Sequence, residues 1–172
     1  SDVLCHAGVS IRHVYFPIDS FVSLITPSGE SGFESGLVGP EGVCGISLVL
    51  GVDISPQRGL VQGPGSALRM PAAAFRRELA RSLPLRRVLD RYLYAVICQL
   101  AQSGACTRFH VIEARLARWL LMSHDRSPGD QFHLTHEFLA YMLGVRRGGI
   151  TVAAGALQKR KLITYVRGNI TI

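Results

Sequence analysis

The chain has 172 residues, 48% hydrophobic and 18% charged, which is enough apolar side chain for one large or two small domains with real cores and excludes a disordered or low-complexity chain. No apolar run approaches the roughly 20 residues of a membrane span, and the opening SDVLCHAGVS lacks the basic-then-apolar layout of a signal peptide, so the expected compartment is the cytoplasm. The net charge of +7 is divided unevenly, with two basic and six acidic side chains in residues 1–68 against seventeen and six in residues 69–172.

A basic second part joined to a mildly acidic first part points to a polyanion as partner of the second, with nucleic acid ahead of a membrane surface. All the cations except Lys159 and Lys161 are arginines, whose planar fork suits phosphates and guanine edges. Cys5, Cys44, Cys98 and Cys106 are too scattered for a disulfide framework or a CxxC pair and read as free thiols.

From about residue 10 to 70 the chain is β-like: HVYF, SFVSLIT, GFESGLVG, GVCGISLVLG and RGLVQG follow one another with glycine every few residues, and PSGES at 27–31 has the composition of a hairpin turn. An antiparallel roll over residues 1–83 is expected. Past Arg69 the hydrophobic period moves from two toward 3.6. The stretch from Pro84 to about Cys106 opens with a proline suited to a first helical turn and carries two apolar stripes, Leu85, Val88, Tyr92, Ala95, Gln99 and Leu89, Leu93, Val96, Leu100. Two stripes require two surfaces. The first is assigned to a second copy of the chain, making 84–106 a dimerisation helix; burial on both sides within one chain is the alternative. Cys98 and Cys106 are about 12 Å apart along such a helix and cannot bridge within one chain. A Cys106–His110 pair is a poor metal site, better explained by a helix junction.

A further helix is expected over His110 to His124, ended by SPGD at 127–130. In the last forty residues Thr135 can cap a short helix, Leu143-Gly144-Val145 supplies a tight turn, and a second helix from about Arg146 to Arg160 buries Ile150, Ala153, Ala154 and Leu157. This is helix-turn-helix spacing, and ITYV, RGN and ITI add a β-hairpin wing. From Phe138 to Ile172 there are six cations and no acid, the surface that counterion release exploits on DNA. The candidate DNA-contacting residues are Thr135, His136, Arg146, Arg147, Gly148, Thr151 and Lys159, with the arginine doublet at the helix end that enters the major groove. A basic helical domain that binds an acidic protein is the alternative reading of the charge.

The stretch LTHEFLAYMLGVRR…ITVAAGALQKRKLI…RGNITI resembles the winged helix-turn-helix of the Crp/Fnr family of bacterial transcription regulators. VYFPIDSFVSLI, GLVGPEGVCGISLVLG and VQGPGSALRMP are similar to that family's cyclic-nucleotide-binding-type β-roll, and EARLARWLLMSHDR to the helix leading into its DNA-binding domain. The resemblance implies an α+β chain with a double-stranded β-helix or jelly-roll type roll (1–83), a dimerisation helix (84–106) and a winged helix-turn-helix domain (107–172). It also implies a homodimer on a pseudo-palindromic site in double-stranded DNA, RNA polymerase as a further partner, and an initial helix and strands ahead of Ser1.

Two departures from the family pattern bear on mechanism. Cyclic-nucleotide binders carry a Gly-Glu pair for the ribose and an arginine followed by a small hydroxylated residue for the phosphate; here Gly45 precedes Ile46, and Arg58 precedes Gly59. Gly45 and Arg58 remain the candidate effector residues, the effector is unidentified, and cyclic AMP is disfavoured. Gly148-Gly149 stands where relatives read DNA with side chains, and each glycine lowers helix propensity by roughly 1 kcal/mol relative to alanine. The iron–sulfur cysteine cluster of some relatives is missing, and none of His6, His13 or Cys44 stands out as a haem ligand. No cofactor is expected. A cupin-like metalloenzyme would need an HxH and a glutamate on adjacent strands, whereas Glu30, Glu34 and Glu41 read as turn residues; an enzyme is not expected. An architectural protein using the roll only as scaffold is the second reading of function.

Overall fold

β-branched residues recur through the first seventy residues between glycine-rich turns, and they build short strands that share cores with helices. The computed structural model describes residues 2–29 and 31–172. β1 (Val3–Cys5), β5 (Arg58–Gln62), β3 (Phe21–Ser28) and β4 (Ser31–Val38) form one antiparallel sheet in the order β1-β5-β3-β4. β2 (His13–Pro17) pairs with β6 (Ala67–Pro71) in a second sheet, and a Tyr15–Cys44 bridge ties a loop to it. The hairpin expected at PSGES is the β3–β4 connection, with Glu30 outside the described residues.

GVCGISLVLG departs from the β reading. It forms a 3-10 helix, Ile46–Leu50, flanked by left-handed Gly45 and Gly51. Leu48 and Val49 are buried there with Val14, Val43, Phe75 and Leu79. A short apolar run looks alike to periodicity as strand or helix turn, and the two glycines decide it by reversing the chain. Glu34 also departs from its expected turn and lies within β4, which continues past it to Val38.

α1 (Ala72–Arg81) packs Phe75 and Leu79 on the roll. α2 (Leu83–Phe109) extends three residues beyond Cys106; the Ser82 hydroxyl accepts from the Leu85 amide at its start, and a proline sits in its first turn. α3 (Ile112–His124), α4 (His136–Leu143) and α5 (Arg147–Lys159) follow. The expected two-stranded wing has a third strand, with β7 (Gln131–His133), β9 (Asn169–Thr171) and β8 (Thr164–Val166) in the order β7-β9-β8.

The core of α3, α4, α5 and the wing continues into the roll through Ile25. The β3–β4 hairpin sits against α4: the Phe33 Cβ is 3.2 Å from where a Cβ on Gly144 would stand, and an Arg58 guanidinium nitrogen donates to the Tyr141 hydroxyl at 3.0 Å. At this junction the Trp119 indole donates to Glu34 Oε1 at 2.8 Å, and Ser23, itself holding Gln62 at 2.9 Å, donates to Oε2. Glu34 keeps some exposed surface, but its carboxyl head is enclosed. Burial pushes that carboxyl up to about 8, against the opposing pull of the Ser23 and Trp119 hydrogen bonds and of Arg126 and Arg118.

A carboxyl raised on folding binds more protons folded than unfolded. Its contribution to the junction is complete below the ordinary value of 4.5 and is lost as pH rises through about 8. Trp119 is the single tryptophan of the chain, so its fluorescence reads this contact directly. Emission is expected to shift with a midpoint near 8, and Glu34→Gln is expected to abolish the transition; an unchanged titration in that variant would contradict the assignment.

Candidate nucleic-acid interface

The C-terminal domain sorts its side chains by helical period. Ile150, Ala153, Ala154 and Leu157 turn one face of α5 inward, and Leu139, Ala140, Met142 and Leu143 do the same for α4. The opposite face of α5 and its first turn are left to solvent. Gly144 joins the two helices with φ +62°, and amides of Gly144 and Val145 close the end of α4 on the carbonyls of Tyr141 and Ala140. A left-handed residue in this turn fits the glycine seen there.

Arg146 is the cap residue of α5, extended and with no side-chain capping bond, and Arg147 begins the helix. Both are exposed. Among the described residues neither forms an ion pair, and Lys159, Lys161 and Arg167 form none either; Arg160 alone of this segment's cations meets an acid, Glu113, at 2.8 Å. Open amides at a helix N-terminus add a partial positive charge to the two guanidinium groups. Gly148 has open space around it, whereas a Cβ on Gly149 would come within 2.7 Å of Ile112 Cδ1. Gly149 lets α5 approach α3, and Gly148 leaves bare backbone at the exposed end.

Thr135 caps α4 by accepting from the Phe138 amide at 3.1 Å. His136 stands behind the outer face, stacked on Tyr165 at 4.5 Å, with Nδ1 3.0 Å from the Thr151 hydroxyl. That hydroxyl lies 3.2 Å from the Arg147 carbonyl. Since the hydroxyl has one proton for the carbonyl, the imidazole donates from Nδ1; its other ring nitrogen is buried without a partner. Burial, and then the charge of Arg147, lower the His136 pKa, which agrees with this tautomer. His136 thus ties α4 to α5 and the wing. Thr151 stays exposed one turn after Arg147, and Lys159 is exposed in the last turn.

Two residues outside the expected set belong to the surface. Arg167 and Gly168 make the wing turn at φ +49° and +88°, the paired left-handed conformation of a tight hairpin. Arg167 and Tyr165 border, with Thr135, His136, Glu137 and Arg147, a hollow of about 530 Å³ between wing and helices. The signal in the sequence was the RGN turn, which places an arginine at the tip.

The other expected residues are divided between surroundings. Gly45 lies at φ +97° with Val14 and Ile11 side chains around it. Arg58 instead reaches Tyr141 of α4, and its Nε has no partner. On α2, Leu85 and Tyr92 pack against the roll and Gln99 exchanges hydrogen bonds with the Leu37 backbone, while Val88 and Ala95 are exposed. The stripe assigned to a second copy is therefore mostly turned to the chain's own roll. A third face, Leu83, Arg87, Asp90, Tyr94, Ile97 and Ala101, lies open to solvent at alternating spacings of three and four, the repeat of a two-helix seam. Tyr94 is 70% and Ile97 61% exposed. Arg87 and Asp90 on this face hid it in the sequence.

Residues 114–172 match the family described as the Crp-like helix-turn-helix domain. Solved structures match the whole length: a CRP-family transcriptional regulator of Thermus thermophilus (TM-score 0.81, 14% identity, 99% of this chain and 88% of that one), FixK2 of Bradyrhizobium japonicum (0.80, 12%, 99% and 87%), and the c-di-GMP responsive global regulator CLP of Xanthomonas campestris (0.76, 16%, 99% and 89%). No curated protein matches. The chain carries a Crp-like helix-turn-helix domain and has the fold of Crp/Fnr regulators throughout. No helix among the described residues is long and apolar enough to cross a membrane.

Gly148 and Gly149, in the first turn of α5, are expected to respond differently to alanine. Gly148→Ala, entering open space, should leave stability unchanged or raise it by up to about 1 kcal/mol, whereas Gly149→Ala should gain less, because its methyl must displace the Ile112 Cδ1 terminus. Urea unfolding of the two variants checks this; equal effects would contradict the packing described.

Proposed function

We propose that this chain, with its Crp-like helix-turn-helix domain, is a homodimeric, sequence-specific DNA-binding transcription regulator. The observation that carries the reading is the free arginine doublet at the solvent-open first turn of α5, with the rest of that helix packed inward. Arg146 and Arg147 reach base edges or phosphates in the major groove; Thr151 and the bare backbone at Gly148 lie beside them. Lys159 and Arg167 contact phosphates, and Thr135 and His136 hold the elements that present these groups. The roll (1–83), central helix (84–106) and DNA-binding domain (107–172) act as three units in the cytoplasm, with RNA polymerase as a further partner and no reaction catalysed.

Dimerisation uses the open face of α2 around Tyr94, Ile97 and Ala101 rather than the Leu85, Val88, Tyr92, Ala95, Gln99 stripe. Pairing along it sets two recognition helices for half-sites about one turn of DNA apart, roughly 34 Å. An effector would act through the roll, where Arg58 already touches the DNA-binding domain; Gly45 and Arg58 are the residues to vary in a search for it.

Selection of bound genomic fragments followed by footprinting tests the reading. Arg147→Ala is expected to cost about 1 to 3 kcal/mol and to relax preference at one base pair of each half-site. Lys159→Ala should weaken all sequences alike and flatten the salt slope by about one unit. Unchanged footprints and salt slopes in both would refute the assignment. In sedimentation, Ile97→Glu is expected to give monomers with weakened operator binding; a dimer retained by that variant and lost in a Tyr92 or Gln99 variant would return the interface to the first stripe.

A further inference from the structure

The roll holds two thiols that the DNA-binding reading leaves without a role. Cys5 ends β1 directly opposite Gly59 of β5. Cys44 comes from the far side, where its backbone exchanges hydrogen bonds of 2.8 and 3.1 Å with Tyr15. Their side chains converge over Gly59: a Cβ there would stand 3.0 Å from the Cys5 sulfur and 3.3 Å from the Cys44 sulfur. The missing side chain leaves both sulfurs bordering one space.

Their surroundings divide the labour between them. Cys44 is buried, whereas Cys5 is half-buried with a path to solvent. The neighbouring Cys44 thiol lowers the Cys5 thiol to about 6, against burial and with help from Ser55, the Gly59 backbone and nearby His6, while the Cys5 sulfur also lies 3.7 Å from the Gln57 carbonyl. The same pairing and burial raise Cys44. Cys5 is thus the more acidic and more accessible thiol of the two, and Cys44 the buried one that keeps its proton. Cys98 is exposed on α2 and Cys106 is buried at its end, the two lying about 12 Å apart.

The geometry points to an oxidisable dithiol inside the roll, in which Cys5 and Cys44 react with a small hydroperoxide to form an intrachain disulfide. The Cys5 thiolate attacks the peroxide, an S–O bond forming as the O–O bond breaks, and the departing alkoxide takes a proton from water to leave as alcohol. Cys44 then attacks the Cys5 sulfenic sulfur; the S–S bond forms, the S–O bond breaks, and hydroxide leaves with the Cys44 proton as water. Two thiols lose two electrons and one peroxide is reduced by two. The product joins β1 to the loop that leads into the 3-10 helix, Ile46–Leu50, and so fastens one sheet of the roll to the other.

The test uses the full chain and hydrogen peroxide at neutral pH, followed by alkylation in denaturant and mass spectrometry of peptides. The expected product is a Cys5–Cys44 linked pair with Cys98 and Cys106 alkylated. Cys44→Ser should stop at a dimedone-reactive Cys5, and Cys5→Ser should give no intrachain disulfide. Should those variants fold poorly, C98S/C106S retains the pair, and its alkylation rate should rise with a midpoint of about 6. Four thiols still free at doses that oxidise free cysteine would overturn the proposal, as would a Cys98-linked dimer with Cys5 and Cys44 still alkylatable.

Discussion

The close crossing of α5 over α3 is the constraint on which the DNA-binding surface rests. Gly149 leaves room for the Ile112 side-chain terminus between the helices, and Ile150, Ala153, Ala154 and Leu157 bury themselves in sequence along the helix. Each fully buried large aliphatic side chain contributes about 1.5 to 3 kcal/mol, and the alanines keep the axes close. With that face committed, the arginines at the start of α5 have only solvent, or a polyanion, to face. The weak helix propensity of two adjacent glycines is offset by packing at one of them and left as bare backbone at the other.

The DNA-binding domain does not hang free of the roll. The hairpin of β3 and β4 carries Phe33 against the helix turn at Gly144 and Glu34 against Trp119, while Arg58 crosses to Tyr141. A carboxyl enclosed at such a joint makes the contact sensitive to any charge or displacement in the hairpin, because removing one partner leaves a buried polar group uncompensated. This seam joins the sheet that carries Arg58 to the helices that carry Arg146 and Arg147. It offers a physical route by which an event in the roll could bias the DNA-binding face.

Within the roll, glycine does chemical as well as conformational service. Gly45 turns the chain into the 3-10 helix, and Gly59 opens the space in which Cys5 and Cys44 meet. The departure from the Gly-Glu and Arg-hydroxyl pattern of cyclic-nucleotide binders thus coincides with a thiol pair at the very residue that follows Arg58.

The order of the parts is legible in local sequence: a glycine-punctuated β-roll, a long two-striped helix, and a basic helix-turn-helix whose bounds at Thr135, Gly144 and Arg146 follow from capping and period. Those are local properties, set within one or two turns of chain. Tertiary structure alone decided what each face meets. The Leu85, Val88, Tyr92, Ala95, Gln99 stripe of α2 and the Leu83, Arg87, Asp90, Tyr94, Ile97, Ala101 face share alternating spacings of three and four, and only the position of the roll shows which is already covered. GVCGISLVLG reads as strand by periodicity although Gly45 and Gly51 reverse the chain around a helical turn, and Glu34 reads as a turn residue although β4 runs through it to Trp119. The convergence of Cys5 and Cys44 over Gly59 was equally hidden. Burial, pKa and pairing depend on residues far apart in the chain, and no window of local sequence contains them.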